Sequence, residues 1–179
     1  MGAQRIDAPV TVSEYERIPN PPGGRYELHH GEMVFVTYPV RRHGDLQDRL
    51  RELLKNLLEG ADFVVRTEYP YRPFPENEVW GADVARVRRE RHGAVEKWLE
   101  GSPELVIEVK SRSNTKTELH DKAMTTLAGE GSIEFWVVDD DTRTVTVYSR
   151  TGMRVYGAGE SAPVPAVDGR LPVDDILRA

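Results

Sequence analysis

Residues 104–114 read E-L-V-I-E-V-K-S-R-S-N. The stretch opens as a buried strand should, with Leu105, Val106, Ile107 and Val109. Side chains alternate across a strand, so Leu105, Ile107 and Val109 share one face and Val106, Glu108 and Lys110 share the other. Glu108 and Lys110 then sit about 7 Å apart. The simplest reading is a weak ion pair on the wet face of an amphipathic strand. The start of the strand is too apolar on both faces for that, and its neighbours in the sequence point to chemistry.

Downstream, T-K-T-E (115–118) is a capping box, with Thr115 as N-cap and Glu118 three residues on. It predicts a helix whose buried face carries Leu119, Ala123 and Leu127. The free N–H groups of that helix start therefore lie near Lys110. Upstream, W-G-A-D-V-A-R-V (80–87) places Asp83 inside a second apolar strand, expected over 81–88. Two carboxylates and a lysine at strand ends near a helix start suit Mg²⁺-dependent phosphodiester cleavage. Mg²⁺ takes oxygen ligands, often only one or two carboxylates, and leaves the rest to water and phosphate. A lysine then stabilises the attacking hydroxide or the developing phosphorane charge.

The rest of the chain supplies the frame. T-V-S-E-Y-E-R-I (11–18) reads as a short helix stopped by Pro19. N-P-P-G-G (20–24) is a loop, and residues 25–37 form a β-hairpin turning at His30-Gly31. Residues 43–59 make the clearest helix, with Leu46, Leu50, Leu53, Leu54, Leu57 and Leu58 on one stripe and Gly60 at its end. A strand follows over 62–69, a proline-rich loop or edge over 70–77, and a short helix over V-E-K-W-L (95–99). Residues 133–138 and 144–148 form a second hairpin, and the tail from Gly157 is rich in Gly and Pro. Mixed strands and helices with hairpins give an α/β to α+β fold, a mixed sheet with helices packed on it.

The chain has 179 residues, which fits one domain, residues 1–179. It has no cysteine, which excludes disulfides and thiolate metal sites and fits a reducing cytoplasm. The five histidines form no helical H-x-x-x-H pair, so no zinc site is read. No signal peptide or membrane-length apolar run is present. The net charge of −6 argues against a non-specific nucleic-acid coat but not against a nuclease with a basic cleft. Basic residues cluster at Arg41 and Arg42, at Arg86, Arg88, Arg89 and Arg91, and at Lys110, Arg112, Lys116 and Lys122.

An aspartate, a gap of about two dozen residues and then Glu-x-Lys resembles the PD-(D/E)xK nuclease superfamily. The whole chain is more closely similar to Uma2, a family of bacterial endonucleases formerly called a domain of unknown function. The matching stretches are R-Y-E-L-H-H-G-E-M-V (25–34), His43 heading a leucine helix, A-D-V-A-R-V-R-R-E-R (82–91), S-P-E-L-V-I-E-V-K-S-R-S-N (102–114), D-K-A-M (121–124) and G-S-I-E-F-W-V-V-D (131–139). The resemblance implies a restriction-endonuclease-like fold and a Mg²⁺-dependent DNA endonuclease, with Mn²⁺ as the alternative ion. It implies that Asp83, Glu108 and the Val109 carbonyl hold the metal and that Lys110 is catalytic. Glu27 adds a ligand or positions a water, and His43 joins the site from the helix. Lys122, Arg86, Arg88 and Arg112 are expected on substrate phosphates. Ala82 stands where the superfamily has proline, and Thr126 where the family's helix has tyrosine.

Two rivals remain from the sequence: a non-catalytic binding or regulatory module that keeps the fold, and a hydrolase of small phosphate esters. A homodimer suits a duplex with two strands to cut.

Overall fold

The computed structural model describes residues 9–112 and 114–178. In chain order it contains helix α1 (Val12–Tyr15), strands β1 (Gly24–His29) and β2 (Glu32–Thr37), helix α2 (Arg41–Leu57), strands β3 (Phe63–Arg72) and β4 (Trp80–Arg88), helix α3 (Arg89–Gly93), strands β5 (Leu99–Glu100) and β6 (Leu105–Val109), and helix α4 (Lys116–Ala128). Strands β7 (Glu134–Asp139), β8 (Thr144–Ser149), β9 (Gly152–Tyr156), β10 (Ser161–Pro163) and β11 (Arg170–Pro172) and helix α5 (Val173–Ile176) complete it.

A seven-stranded sheet runs in the order β5-β3-β4-β6-β7-β8-β9. The strand from the opening stretch, β6, lies at its centre, and all five of its residues are buried. It pairs antiparallel with β4 and parallel with β7. The parallel pair needs a crossover, and α4 supplies it. This is the mixed sheet flanked by helices that the sequence predicts.

Each face of the sheet has its own core. On one, Leu46, Leu50, Leu54 and Leu58 of the α2 region meet Leu105, Ile107 and Val109 of β6. Full burial of a leucine such as Leu50 contributes about 1.5–3 kcal/mol. The tail closes this core with Ala162, Val164, Leu171, Val173 and Ile176. On the other face, Leu119, Ala123 and Leu127 of α4 meet Val106, Phe135, Tyr71 and Trp80. Helix α4 begins where the capping box places it, with Thr115 and Glu118 bonded to each other's backbone N–H. The hairpin β1–β2 stands apart from the main sheet and is joined to it by a bridge between Leu28 and Val79.

Three local expectations change. No helix covers 95–99: the helix is α3, and Leu99 enters β5 beside β3. Val95 and Leu99, four apart, both pack on the α4-side core, which imitates a helical stripe. Strand β3 also runs on through Pro70 to Arg72. Its outer neighbour β5 pairs only with Tyr71 and Arg72, so one side of β3 at Pro70 is an edge, where a missing N–H is tolerated. Finally, a further strand, β9, follows the second hairpin, and the tail from Gly157 forms β10, β11 and α5. Among the described residues, no helix is long and apolar enough to cross a membrane.

Candidate active site

The site forms where two central strands part. Pairing between β4 and β6 covers Arg86↔Leu105, Ala85↔Val106 and Val84↔Ile107, and stops there. The next residues on each strand are Asp83 and Glu108. Ala82 belongs to the α4-side core and Val84 to the α2-side core, so the alternation of β4 breaks at Asp83. In the gap the carboxylates replace the ladder. The Val109 N–H donates to Asp83 Oδ2 at 2.7 Å, and the Asp83 N–H points to Glu108 Oε1 at 3.4 Å. Backbone donors freed by the splay are thus satisfied by side chains.

Other elements converge on this pair. From α2, His43 Nε2 lies 3.1 Å from Asp83 Oδ1, and Gln47, one turn on, donates to the same oxygen at 2.8 Å. The Gln47 amide also donates to Glu68 at 2.5 Å. Glu68 sits opposite Asp83 in β3 with φ +50°, a left-handed conformation that a residue with a side chain rarely adopts. From β1, Arg25 pairs with Glu68 and with Glu27 (3.0 Å), and His29 Nε2 lies 2.8 Å from Glu27 while its ring stacks on Trp80. From α4, the Lys122 ammonium reaches Glu108 Oε2 at 2.9 Å and the Gly81 carbonyl at 2.8 Å. A methyl group at Gly81 would press on the Arg25 guanidinium and on Glu27 Oε1 (2.7 Å), so the bare backbone there lets the hairpin lie against β4.

The electrostatics follow from burial and these partners. Burial pushes the Glu108 carboxyl up, and the Asp83 charge adds to this; Lys122 only partly offsets them, and the result is about 8. Burial acts on Glu27 in the same sense, but Lys122, His29 and Arg25 outweigh it and hold that carboxyl at about 2. Lys122 is buried, yet Glu108 and Glu27 keep its ammonium protonated and raise it above its ordinary value. His43 also rises, because the hydrogen bond and charge of Asp83, with Glu108 and Glu68, exceed the effect of burial. Four carboxylates, Glu27, Glu68, Asp83 and Glu108, thus face Arg25, Lys122 and two histidines.

The residues named from the sequence divide into two groups. Asp83, Glu108, Glu27, His43 and Lys122 come together. Lys110 does not join Glu108: β6 ends at Val109, and the Lys110 ammonium turns to Asp139 at 2.6 Å. The expected Glu108–Lys110 pair does not form: Lys110 takes Asp139, the residue after its β7 neighbour Val138, and Glu108 takes Lys122 of α4. Arg86 corrects a second expectation. It is fully buried, its guanidinium lies over the Phe63 ring at 4.3 Å, and it donates to the Pro165 carbonyl. Burial depresses it to about 10, with Arg88 adding to this against Glu104 and Glu134. It props the tail against the sheet and cannot reach a phosphate. Arg86→Ala is expected to cost about 2–5 kcal/mol of stability, by analogy with other large-to-small core changes. Denaturant unfolding checks it. Arg88 is exposed, about 17 Å along β4 from Asp83 by the strand rise, and leans on Glu104. Arg112 is exposed beyond the end of β6.

Gln47, Glu68 and Arg25 were not singled out by the sequence reading. Gln47 had a usable signal, since it lies four residues after His43 on the same helix face. Glu68 had none, because its role comes from a left-handed residue inside a strand.

The donor set fits a hard divalent cation. Among the described residues no group of three or more His, Asp or Glu is arranged to hold a metal ion by itself. Mg²⁺ does not require that, since one or two carboxylates with water and phosphate suffice. Asp83 and Glu108 offer such a pair, with Gln47, His43 and Lys122 as their present side-chain partners.

The profile of Uma2, described as "Putative restriction endonuclease", matches residues 12–170. A search among curated proteins finds no match. Among solved structures, the chain is similar to a crystal structure described as a "putative nuclease belonging to DUF820 from Anabaena variabilis". The TM-score is 0.81 at 19% identity, over 94% of this chain and 98% of that one. At that identity the likeness establishes a shared fold. The profile match runs from α1 to the first residue of β11 and takes in every residue of the converging cluster; the chain belongs to the Uma2 family.

Proposed function

We propose that this protein is a Mg²⁺-dependent DNA endonuclease that hydrolyses phosphodiester bonds at the parting of β4 and β6. The observation that carries the reading is the facing pair Asp83 and Glu108 where β4 and β6 part, with the Glu108 carboxyl buried and pushed up to about 8. Asp83 and Glu108 hold the ion, with the Val109 carbonyl beside them. The ion, when bound, supplies Lewis-acid stabilisation and a more acidic water. Lys122 holds an ammonium 2.9 Å from Glu108, where it can meet charge developing on the transferred phosphoryl group. Glu27 keeps Lys122 protonated. His43, favoured as imidazolium by Asp83, orients that carboxylate and adds a donor at the rim. Gln47 and Glu68 fix Asp83 from behind. Two copies of the chain would serve the two strands of a duplex.

One observation favours the inert binding module. In this structure both oxygens of Asp83 and both oxygens of Glu108 already have partners. The deciding experiment incubates the purified protein with supercoiled plasmid, linear duplex and single-stranded DNA in Mg²⁺, Mn²⁺ or EDTA. Cleavage in either ion and none in EDTA is the expected result. A folded protein that binds DNA and cuts none of these forms is the binding module.

A further inference from the structure

Residues Tyr38–Val40 join β2 to α2, whose first residues are Arg41 and Arg42, and so link the hairpin that carries Glu27 to the helix that carries His43. The Tyr38 N–H donates to the Gly23 carbonyl at 3.1 Å, which extends the hairpin ladder by a rung. Arg25 is paired with Val36, so alternation puts Tyr38 on the face of Val36, Arg25 and Glu27. That is the face whose charged residues reach Glu68 and the site. Tyr38 is 59% exposed and Val40 73%, and neither belongs to a core cluster. Arg41 follows with a side chain 96% exposed, then Arg42, held by Asp140 at 2.6 Å, then His43 on Asp83.

A bare aromatic ring, a valine and two guanidiniums thus line one rim of the site with no role in packing. Paired bases in a duplex hide their faces against each other, whereas an unpaired base offers a π-face to such a ring. Guanidiniums meet the phosphates on either side. A second copy of this chain is the poorer occupant, because a symmetric contact would bring the arginines of the two copies together.

We propose that Tyr38–Arg42 is a single-strand platform, with Tyr38 stacking on an unpaired base and Arg41 and Arg42 on the neighbouring phosphates. The inference rests on the nuclease reading and specifies its substrate: DNA with unpaired nucleotides beside the scissile bond, such as a flap, gap or bubble.

The test is fluorescence anisotropy in EDTA with a labelled oligothymidine of about 15 nucleotides, matched to the usual single-strand site sizes, and with a hairpin duplex. Tyr38→Ala is expected to weaken strand binding on the order of tenfold and to leave duplex binding unchanged. Tyr38→Phe keeps wild-type binding. Arg41→Gln lowers the slope of log affinity against log salt for the strand by about 0.7. Strand affinity unchanged in Tyr38→Ala overturns the proposal, as does an equal loss on strand and duplex. So does a sedimentation shift from dimer to monomer in Tyr38→Ala at constant strand affinity, which would assign the rim to a second copy. If Tyr38→Ala shows one of those results and still cuts duplex DNA in Mg²⁺, the platform is wrong and the nuclease reading stands. If the wild type binds neither probe, with or without Mg²⁺, both fall.

Discussion

Lys122→Ala is expected to reduce cleavage by on the order of 10²–10³-fold, the usual loss when one preorganised donor is removed from a reacting site. The same change strips Glu108 and Glu27 of their shared cation. The Lys122 and Glu108 side chains are only 13% and 12% exposed. Removing one partner of such a buried pair costs about 3–5 kcal/mol of stability. Metal should restore part of this, because a divalent ion held by Asp83 and Glu108 replaces the missing charge. Ion at a hundred times its dissociation constant adds about 2.7 kcal/mol. Melting curves in EDTA and in Mg²⁺ therefore lie further apart for Lys122→Ala than for wild type, and the gap between variant and wild type narrows in Mg²⁺. Lys110→Ala is the control. Its ion pair with Asp139 is part-buried and does not involve Glu108, so the expected loss is about 1–3 kcal/mol, with cleavage largely retained. An inactive Lys110→Ala beside an active Lys122→Ala would return the catalytic role to the E-x-K lysine.

The contrast between the two lysines shows what the sequence could reveal. The central strand, the leucine helix and the capped helix all rest on local rules, and each forms within a few residues of its expected place. Asp83 and Glu108 were legible because a carboxylate inside an apolar strand is costly to bury and rarely accidental. Alternation alone then assigned Lys110 to the face of Glu108. The pair still did not form, because each side chain met a partner from another element: Asp139 at the end of β7 for Lys110, and Lys122 of α4 for Glu108. Lys122 reaches the site because the α4 crossover packs over Trp80 and Ala82, which is tertiary information. Arg86 misled for a related reason. A run of arginines reads as a solvated or phosphate-facing stretch, but the tail folds back over one of them and offers it a carbonyl. The tail itself carried little periodicity, and its apolar residues find their role only against α2.

Glu108→Gln is expected to abolish calorimetric Mg²⁺ binding and to change how stability depends on pH. The unfolded chain releases the Glu108 proton near the ordinary 4.5, while the folded chain keeps it to about 8. Between those values the folded state binds more protons, so rising pH favours unfolding. The wild-type contribution is fully present below 4.5 and is lost as pH rises through 8. Glutamine carries no such proton. The stability of Glu108→Gln relative to wild type, measured in EDTA, should therefore climb from pH 5 to pH 8 and level off above. Comparing the two proteins cancels the other titrating groups. The same proton links to the metal, since a carboxylate must be free of it to act as a ligand. Below pH 8, Mg²⁺ binding to wild type should release a proton, and its measured heat should vary with the ionisation enthalpy of the buffer. That dependence should fade above pH 8. Metal heat that persists in Glu108→Gln would place the ion elsewhere. A relative stability that stays flat from pH 5 to 8 would mean that Lys122 alone keeps Glu108 ionised. The site would then be balanced without metal, as the inert module requires.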